Sequence, residues 1–384
     1  MTAGPEKSTR RTVLSAVWMF GGRGLGLLWA LLLTHELGIS GYGQFVVGIS
    51  AAALISIPVD AYYLVRSPRV DDEQFEVDRA SRYWLGVLIF ALGLGLFAVW
   101  LPAGLALSKA GGDVFFNAQK STAIRTGRPD NAFALDSARQ GLSLVAGMVV
   151  IVAVEDASVW LLSLVYVLGF VPFAVAMLPR VVGVRVELPE RTRSTVALVA
   201  EALGGAAYTQ GDIVLLGLIA GESAAGYYSY ATLALWSIAA VGQNYSFTFH
   251  EPLREHGGAV EAGPPFKITS ALAVAGGAGM IGTGVVLWLL GTDNDLWLAF
   301  VVLSVAASTR FYGAVFTTVL ALQSRDELRA RMSLVAVAIK TAGILALAWS
   351  LGSIGAAIAF VLADLVAFAW AYRALYAARS EVAV

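Results

Sequence analysis

Long apolar runs, each about the length of a membrane crossing, follow one another along nearly all of the 384 residues. An α-helix rises about 1.5 Å per residue, so roughly 20 apolar residues cover a hydrocarbon core of about 30 Å. Twelve runs are predicted to span the membrane, at 12–37, 42–65, 82–101, 102–124, 134–154, 159–178, 195–220, 225–249, 268–290, 296–322, 330–350 and 353–372. Because backbone groups in lipid must be satisfied within a segment, we predict an all-α polytopic membrane protein.

Composition supports this class and excludes several others. Hydrophobic residues make up 58% of the chain and charged residues only 14%. The net charge of −1 gives no sign of a nucleic-acid partner. The sequence has no cysteine and three histidines, which argues against disulfides, metal sites and a cysteine nucleophile, and we predict no cofactor. The first run is too long for the core of a signal peptide and is predicted to be retained.

The basic residues predict the topology. The fourth run carries Lys109, Asp113 and Asn117 and is weakly apolar. If it nevertheless crosses, all Lys and Arg outside the spans lie on one side of the membrane. Deleting this crossing would place the basic segment 179–194 on the opposite side. We therefore predict twelve crossings in the plasma membrane, with both termini in the cytoplasm.

An internal repeat divides the chain. The junction Leu37–Phe45 and the junction Ala220–Tyr228 both contain a helix-ending glycine, a few small or polar residues and then Gly-Tyr. The junction Arg125–Arg128 is similar to Gln323–Asp326. Two six-helix lobes in the same orientation are expected. The predicted organisation is a cytoplasmic N-terminus (1–11), a first lobe (12–178), a cytoplasmic linker (179–194), a second lobe (195–376) and a cytoplasmic C-terminus (377–384).

The predicted outer connections are too short to hold an active site. They comprise residues 38–41, 155–158, 221–224, 291–295 and a turn near Gly352. An outer glycosyltransferase or polymerase site would need carboxylates on a larger loop. The sequence also lacks the G-x-x-x-x-G-K-[ST] pattern of a nucleotide-binding loop. We therefore predict a protein with no catalytic residues rather than an enzyme.

The sequence resembles a known family in three places: the junction Leu37–Phe45, the segment Gly211–Gly217 running into Gly226–Ala231, and Pro252-Leu253. The family is the oligosaccharide flippases of the multidrug/oligosaccharidyl-lipid/polysaccharide (MOP) exporter superfamily, of the O-antigen and polysaccharide-transporter type. The resemblance covers essentially the whole chain. It implies two pseudo-symmetric six-helix lobes and transfer of a polyprenyl-diphosphate-linked oligosaccharide to the outer leaflet by alternating access.

Cations inside the apolar runs fit an anionic substrate. Arg23 lies near the middle of the first run among four glycines, where an arginine costs roughly 2.5–3.5 kcal/mol in lipid and should face protein or water. Either it binds an anion in a cavity or it pairs with a carboxylate. Lys109, Asp113 and Asn117 share one helical face, as a polar stripe or an internal ion pair. The candidate substrate-binding residues are Arg23, Arg310, Lys340, Lys109 and Asn117.

Carboxylates inside the runs are candidates for coupling transport to an ion. Asp212, Glu201, Asp60 and Asp364 lie within predicted spans. The alternative is that they neutralise the buried cations. Asp136 and Arg139, three residues apart, are predicted to form a structural pair.

Two other functions stay open at this point. A cation-coupled multidrug or metabolite exporter of the same superfamily should have an acidic cavity, and the central arginines argue against it. A non-transporting scaffold for envelope enzymes should pair all of its buried charges. The expected partners are the lipid-linked glycan and membrane lipid, with envelope glycosyltransferases or a polymerase as candidate protein partners, and we predict a monomer.

The topology is testable with reporter fusions. Charge segregation predicts an outer signal for fusions at Asp156, Glu222 and Asp293, and a cytoplasmic signal for fusions at Arg128, Glu187 and Arg325. A cytoplasmic signal at Asp156 together with an outer signal at Glu187 would remove the fourth crossing and contradict the two-lobe organisation.

Overall fold

The structure is a computed structural model that describes residues 5–67, 70–126, 128–187 and 193–376. Within these ranges the regular secondary structure is helical, which confirms the predicted all-α class. Parts of the predicted N-terminus (1–4), linker (188–192) and C-terminus (377–384) lie outside the described residues.

The helices follow the predicted runs closely, with differences at their ends. In chain order they are α1 (Pro5–Arg66), α2 (Asp72–Phe97), α3 (Leu101–Arg125), α4 (Pro129–Ala153), α5 (Val159–Leu168), α6 (Val171–Val181), α7 (Arg193–Ile219), α8 (Glu222–Phe247), α9 (His250–Glu255), α10 (Phe266–Leu289), α11 (Asn294–Leu322) and α12 (Asp326–Tyr376). A short 3-10 helix covers Val260–Ala262.

The chain forms two compact units, which divide between Ala206 and Ala207. In the first unit α1 packs on α3 and α4, and α2 packs on α3. In the second unit α11 packs on α8, α10 and α12. The predicted lobe boundary at 179–194 stays a prediction.

Glycines with positive φ angles lie at predicted outer turns. Gly38 breaks α1 with φ 69° and ψ 177°, and Gly221 precedes α8 with φ 89° and ψ 171°. These two conformations are nearly the same, at the two junctions that the sequence predicts to be equivalent. Gly352 breaks α12 with φ 53°, and Gly291 has φ 72°. Such backbone angles favour glycine because other residues carry a Cβ atom. Gly127 lies outside the described residues, so the second predicted equivalence stays a prediction.

Length and composition support membrane-spanning helices. Among the described residues, eight helices are long and apolar enough to cross, and two of them, Gly21–Arg66 and Asp326–Tyr376, have 46 and 51 residues. Each of these two holds a pair of predicted runs, separated by Gly38 or Gly352. The more polar helices α3 and α8 are not among the eight, so the number of twelve crossings stays a prediction.

Helix α2 begins ten residues before its predicted start at Arg82. The Asp71 carboxylate accepts a hydrogen bond from the Gln74 amide at 2.8 Å and caps the helix. Acidic residues in the first turn favour the positive end of the helix dipole. The polar segment predicted to be a cytoplasmic connection is therefore helical, and Arg82 lies inside the helix rather than at its start.

Candidate functional site

A buried ion pair joins α7 and α12 in the second unit. Lys340 Nζ lies 2.9 Å from Asp212 Oδ2, and both side chains are at most 2% exposed. The ammonium also donates to the main-chain carbonyl of Tyr208. The Tyr228 hydroxyl donates to Asp212 Oδ2 at 2.7 Å, and the Ile213 amide donates to Oδ1 at 3.0 Å. Both carboxylate oxygens of Asp212 therefore have partners, as a buried charge requires.

A second ion pair lies in the same unit between α11 and α12. Arg310 binds Asp364 through two nitrogens, with Nε to Oδ2 at 2.7 Å and Nη2 to Oδ1 at 2.5 Å. The Tyr208 hydroxyl also donates to Asp364 Oδ1. This is the bidentate geometry in which a guanidinium binds a carboxylate most strongly.

The aromatic ring of Tyr208 lies beside both cations. Arg310 Cζ is 4.2 Å from the ring centroid, and Lys340 Nζ is 4.3 Å from it. Phe360 is 4.6 Å from Lys340 Nζ, and Trp236 is 5.4 Å from Arg310 Cζ. Ring faces attract cations, and more strongly where water is excluded. Tyr208 thus connects the two ion pairs through its carbonyl, its hydroxyl and its ring.

The first unit contains its own polar centre, built by α1, α2 and α3. Arg82 Nε donates to Asp60 Oδ1 at 2.8 Å, and Asn117 Nδ2 donates to Asp60 Oδ2 at 2.5 Å. Arg82 is 5% exposed. Two sequence candidates, Asp60 and Asn117, therefore meet each other. Arg82, the cation that pairs with Asp60, was missed because the predicted third span began at that residue.

Two further pairs involve α3. Lys109 pairs with Asp113, four residues later, so this part of the polar stripe is an internal ion pair. Lys120 Nζ pairs with Asp136 of α4 at 2.8 Å. The predicted pair of Asp136 with Arg139 is wrong, because Asp136 faces α3 instead.

Arg139 is buried without a carboxylate partner. It is 7% exposed, and its Cζ lies 4.5 Å from the ring centroid of Phe170 and 5.3 Å from that of Tyr166. A side-chain hydrogen bond joins it to Tyr166. Its Nη1 is buried and has no hydrogen-bond partner among the described residues. Arg139 is therefore a buried cation that forms no ion pair with a described residue, and its nearest negative charges are Asp113 and Asp136.

Two candidates lie at exposed positions. Arg23 on α1 is exposed and has no ion pair or hydrogen bond with a described residue. Glu201 on α7 is also exposed and unpaired within the described ranges. The structure thus separates Arg23 and Glu201 from the buried candidates. In the described part of the chain, no group of three His, Cys, Asp or Glu side chains could hold a metal ion.

No protein-family model matches the chain, and no curated protein matches its sequence. Solved structures, in contrast, share its fold. The lipid II flippase MurJ in an inward closed conformation is similar with a TM-score of 0.67 and 10% identity, over 94% of this chain and 87% of that chain. An outward-facing multidrug resistance MATE family transporter of the MOP superfamily is similar with a TM-score of 0.55 and 18% identity, over 97% of both chains.

A third structure extends this comparison. A MOP superfamily transporter from Pyrococcus furiosus, in which reverse polarity of the binding pocket suggests a different function, has a TM-score of 0.56 and 16% identity over 97% of both chains. At such identities the similarity shows the fold alone. The chain has the fold of flippases and exporters of the MOP superfamily.

The buried pair of Asp212 and Lys340 predicts a large loss of stability on substitution. Asp212→Asn leaves an ammonium without its counter-ion and should lower the free energy of unfolding by about 3–5 kcal/mol. Adding Lys340→Met should recover much of that loss, because an apolar replacement of the whole pair avoids the unpaired charge. Thermal unfolding in detergent measures both effects.

Asp326→Asn is the matched control. Asp326 and Arg329 form an exposed pair on α12, with side chains 76% and 38% exposed. Such pairs contribute about 0–1 kcal/mol. Equal losses for Asp212→Asn and Asp326→Asn, or no recovery in the double variant, would contradict a buried ion pair.

Proposed function

We propose that the chain is a flippase that moves a polyprenyl-diphosphate-linked oligosaccharide from the cytoplasmic to the outer leaflet of the plasma membrane. Alternating access of two lobes would carry the head group across while the lipid tail stays in the bilayer. Its fold similarity to a lipid II flippase supports the reaction class. Two arginines of the first unit, Arg23 and Arg139, that form no ion pair with a described residue are the observation that carries the proposal.

The charges in the second unit balance. Asp212 and Asp364 each hold one cation, Lys340 and Arg310. Both carboxylates are therefore already neutralised by cations of the protein.

Two arginines in the helices of the first unit lie outside any ion pair among the described residues. Five aspartates of this unit form ion pairs with Arg66, Arg82, Lys109, Lys120 and Arg125. Arg139 and Arg23 form no ion pair with a described residue, and the carboxylates of Asp130 and Glu201 in this unit likewise form none. Positive charge in an apolar surrounding requires an anion or water, and a diphosphate is a strong acceptor for a guanidinium.

Arg23 is the accessible one of these two arginines. Its side chain is exposed, and a Cβ atom added at Gly21 or Gly24 would meet nothing within 4 Å. A phosphate group could therefore reach the guanidinium without a steric clash at the neighbouring glycines. The planar fork of arginine suits two phosphate oxygens at once. We propose Arg23 as the first substrate contact and Arg139 as the deeper source of positive potential.

The rival functions fit these observations less well. A cation-coupled drug exporter needs a carboxylate that is free to bind a cation, but Asp60, Asp212 and Asp364 each bind a protein cation. Only Glu201, among the four coupling candidates, is without such a partner in the described part of the chain. A scaffold should pair every buried charge, and Arg139 does not follow that expectation.

Substitutions at Arg23 test the proposal through substrate charge. Arg23→Lys keeps the charge but loses the planar fork, Arg23→Gln loses the charge, and Arg23→Glu inverts it. A charge-assisted contact of about 1.5–3 kcal/mol corresponds to roughly a tenfold to hundredfold loss of transport for Arg23→Gln. Transport should fall in the order Lys, Gln, Glu. Complementation of a flippase-depleted strain, with lipid-linked precursor measured in the inner leaflet, gives the readout.

Arg331→Gln and Arg82→Gln are the controls. Arg331 forms an exposed pair with Glu327, so its loss should leave transport unchanged. Arg82 holds Asp60 in the first unit, so its loss should lower protein level. Normal transport by all three Arg23 variants would contradict a substrate contact there.

A further inference from the structure

The ammonium of Lys340 has the surroundings of a bound metal cation. Asp212 and Tyr208 lie four residues apart on α7 and present a carboxylate oxygen and a main-chain carbonyl oxygen on one face. Ring faces of Tyr208 and Phe360 enclose the remaining sides at 4.3 and 4.6 Å. Hard cations such as Na⁺ bind carboxylate and carbonyl oxygens, and cations also favour aromatic faces.

Charge balance requires one positive charge at this position. The second unit encloses Asp212 and Asp364 together with Arg310 and Lys340, which sum to zero. Arg310 is committed to Asp364 by two hydrogen bonds. Without Lys340, Asp212 would be a buried carboxylate at 2% exposure with only the Tyr228 hydroxyl and the Ile213 amide as donors. A monovalent cation would restore neutrality, whereas a divalent cation would not.

We propose that Lys340 is a tethered cation that permanently occupies a monovalent-cation site formed by Asp212 and the Tyr208 carbonyl. The protein therefore needs no metal cation at Asp212 to complete its transport cycle. The prediction about ion dependence of transport rests on the proposed function, but the prediction about cation binding by Lys340 variants does not.

The driving force would then act on the substrate itself. A diphosphate moving outward carries negative charge in the direction favoured by an inside-negative membrane potential. Transport by the native protein should accordingly respond to the potential and be indifferent to replacement of Na⁺ by a bulky organic cation.

A variant that removes the Lys340 ammonium and leaves its space empty tests whether Asp212 and the Tyr208 carbonyl form a cation site. Purified Lys340→Ala should gain a saturable rise in melting temperature with Na⁺ that N-methylglucamine does not produce, while the native protein shows no such difference. Lys340→Met fills the space with an uncharged chain and should be destabilised without responding to Na⁺. Lys340→Ala combined with Asp212→Asn removes the carboxylate and should also lose the response.

The outcomes distinguish failure of the cation-site proposal from failure of the proposed function. A Lys340→Ala protein that responds to Na⁺ no more than Lys340→Met overturns the tethered-cation assignment, as does a specific stabilisation of the native protein by Na⁺. Failure to recover Lys340→Ala in any alkali cation, when Lys340→Met is recovered, also overturns it. If Na⁺ stabilises Lys340→Ala as predicted but the native protein moves no lipid-linked diphosphate, the cation site stands and the proposed function fails.

Discussion

The structure depends on neutralising charges that its apolar helices enclose. A lone charge in such surroundings costs several kcal/mol, and a pair is tolerated only when its remaining polar atoms also have partners. The pair of Lys340 and Asp212 meets this condition through Tyr208, Tyr228 and the Ile213 amide. The corresponding centre of the first unit, at Asp60, uses Arg82 and Asn117. These contacts join α7 to α12 in the second unit and α1 to α2 and α3 in the first, so the same charges that make insertion costly also specify which helices pack together.

Much of this fold follows from the sequence, because apolar run length and helix-breaking glycines are local signals. The positions of Gly38, Gly221 and Gly352 predicted turns that the structure contains. Partner choice is not local, and here prediction failed. Spacing within α4 suggested Asp136 with Arg139, but the packing of α3 beside α4 brings Lys120 to Asp136. The role of Tyr208 had no sequence signal, since it uses a carbonyl, a hydroxyl and a ring together.

Both units contain buried ion pairs, but they differ, among the described residues, in whether a buried arginine remains outside those pairs. In the second unit Asp212 pairs with Lys340 and Asp364 pairs with Arg310, which favours a rigid centre that needs no outside ion. In the first unit Arg139 keeps a buried Nη1 without a described partner, and Arg23 is exposed on a glycine-rich helix. Guanidinium groups outside ion pairs are suited to a polyanionic head group and unsuited to a cationic drug. The proposed division is therefore a first unit that attracts the substrate and a second unit whose charge state stays constant through transport.

Substrate charge is the property on which this account depends, and reconstitution measures it directly. Purified protein in liposomes would be given two labelled amphiphiles in the same leaflet, a polyprenyl-diphosphate-linked glycan and a cationic amphiphile, and transfer of each would be followed. A flippase for a polyprenyl-diphosphate substrate should transfer the diphosphate lipid and leave the cationic amphiphile in its original leaflet. Transfer of the cationic amphiphile, with the diphosphate lipid left in its original leaflet, would contradict it.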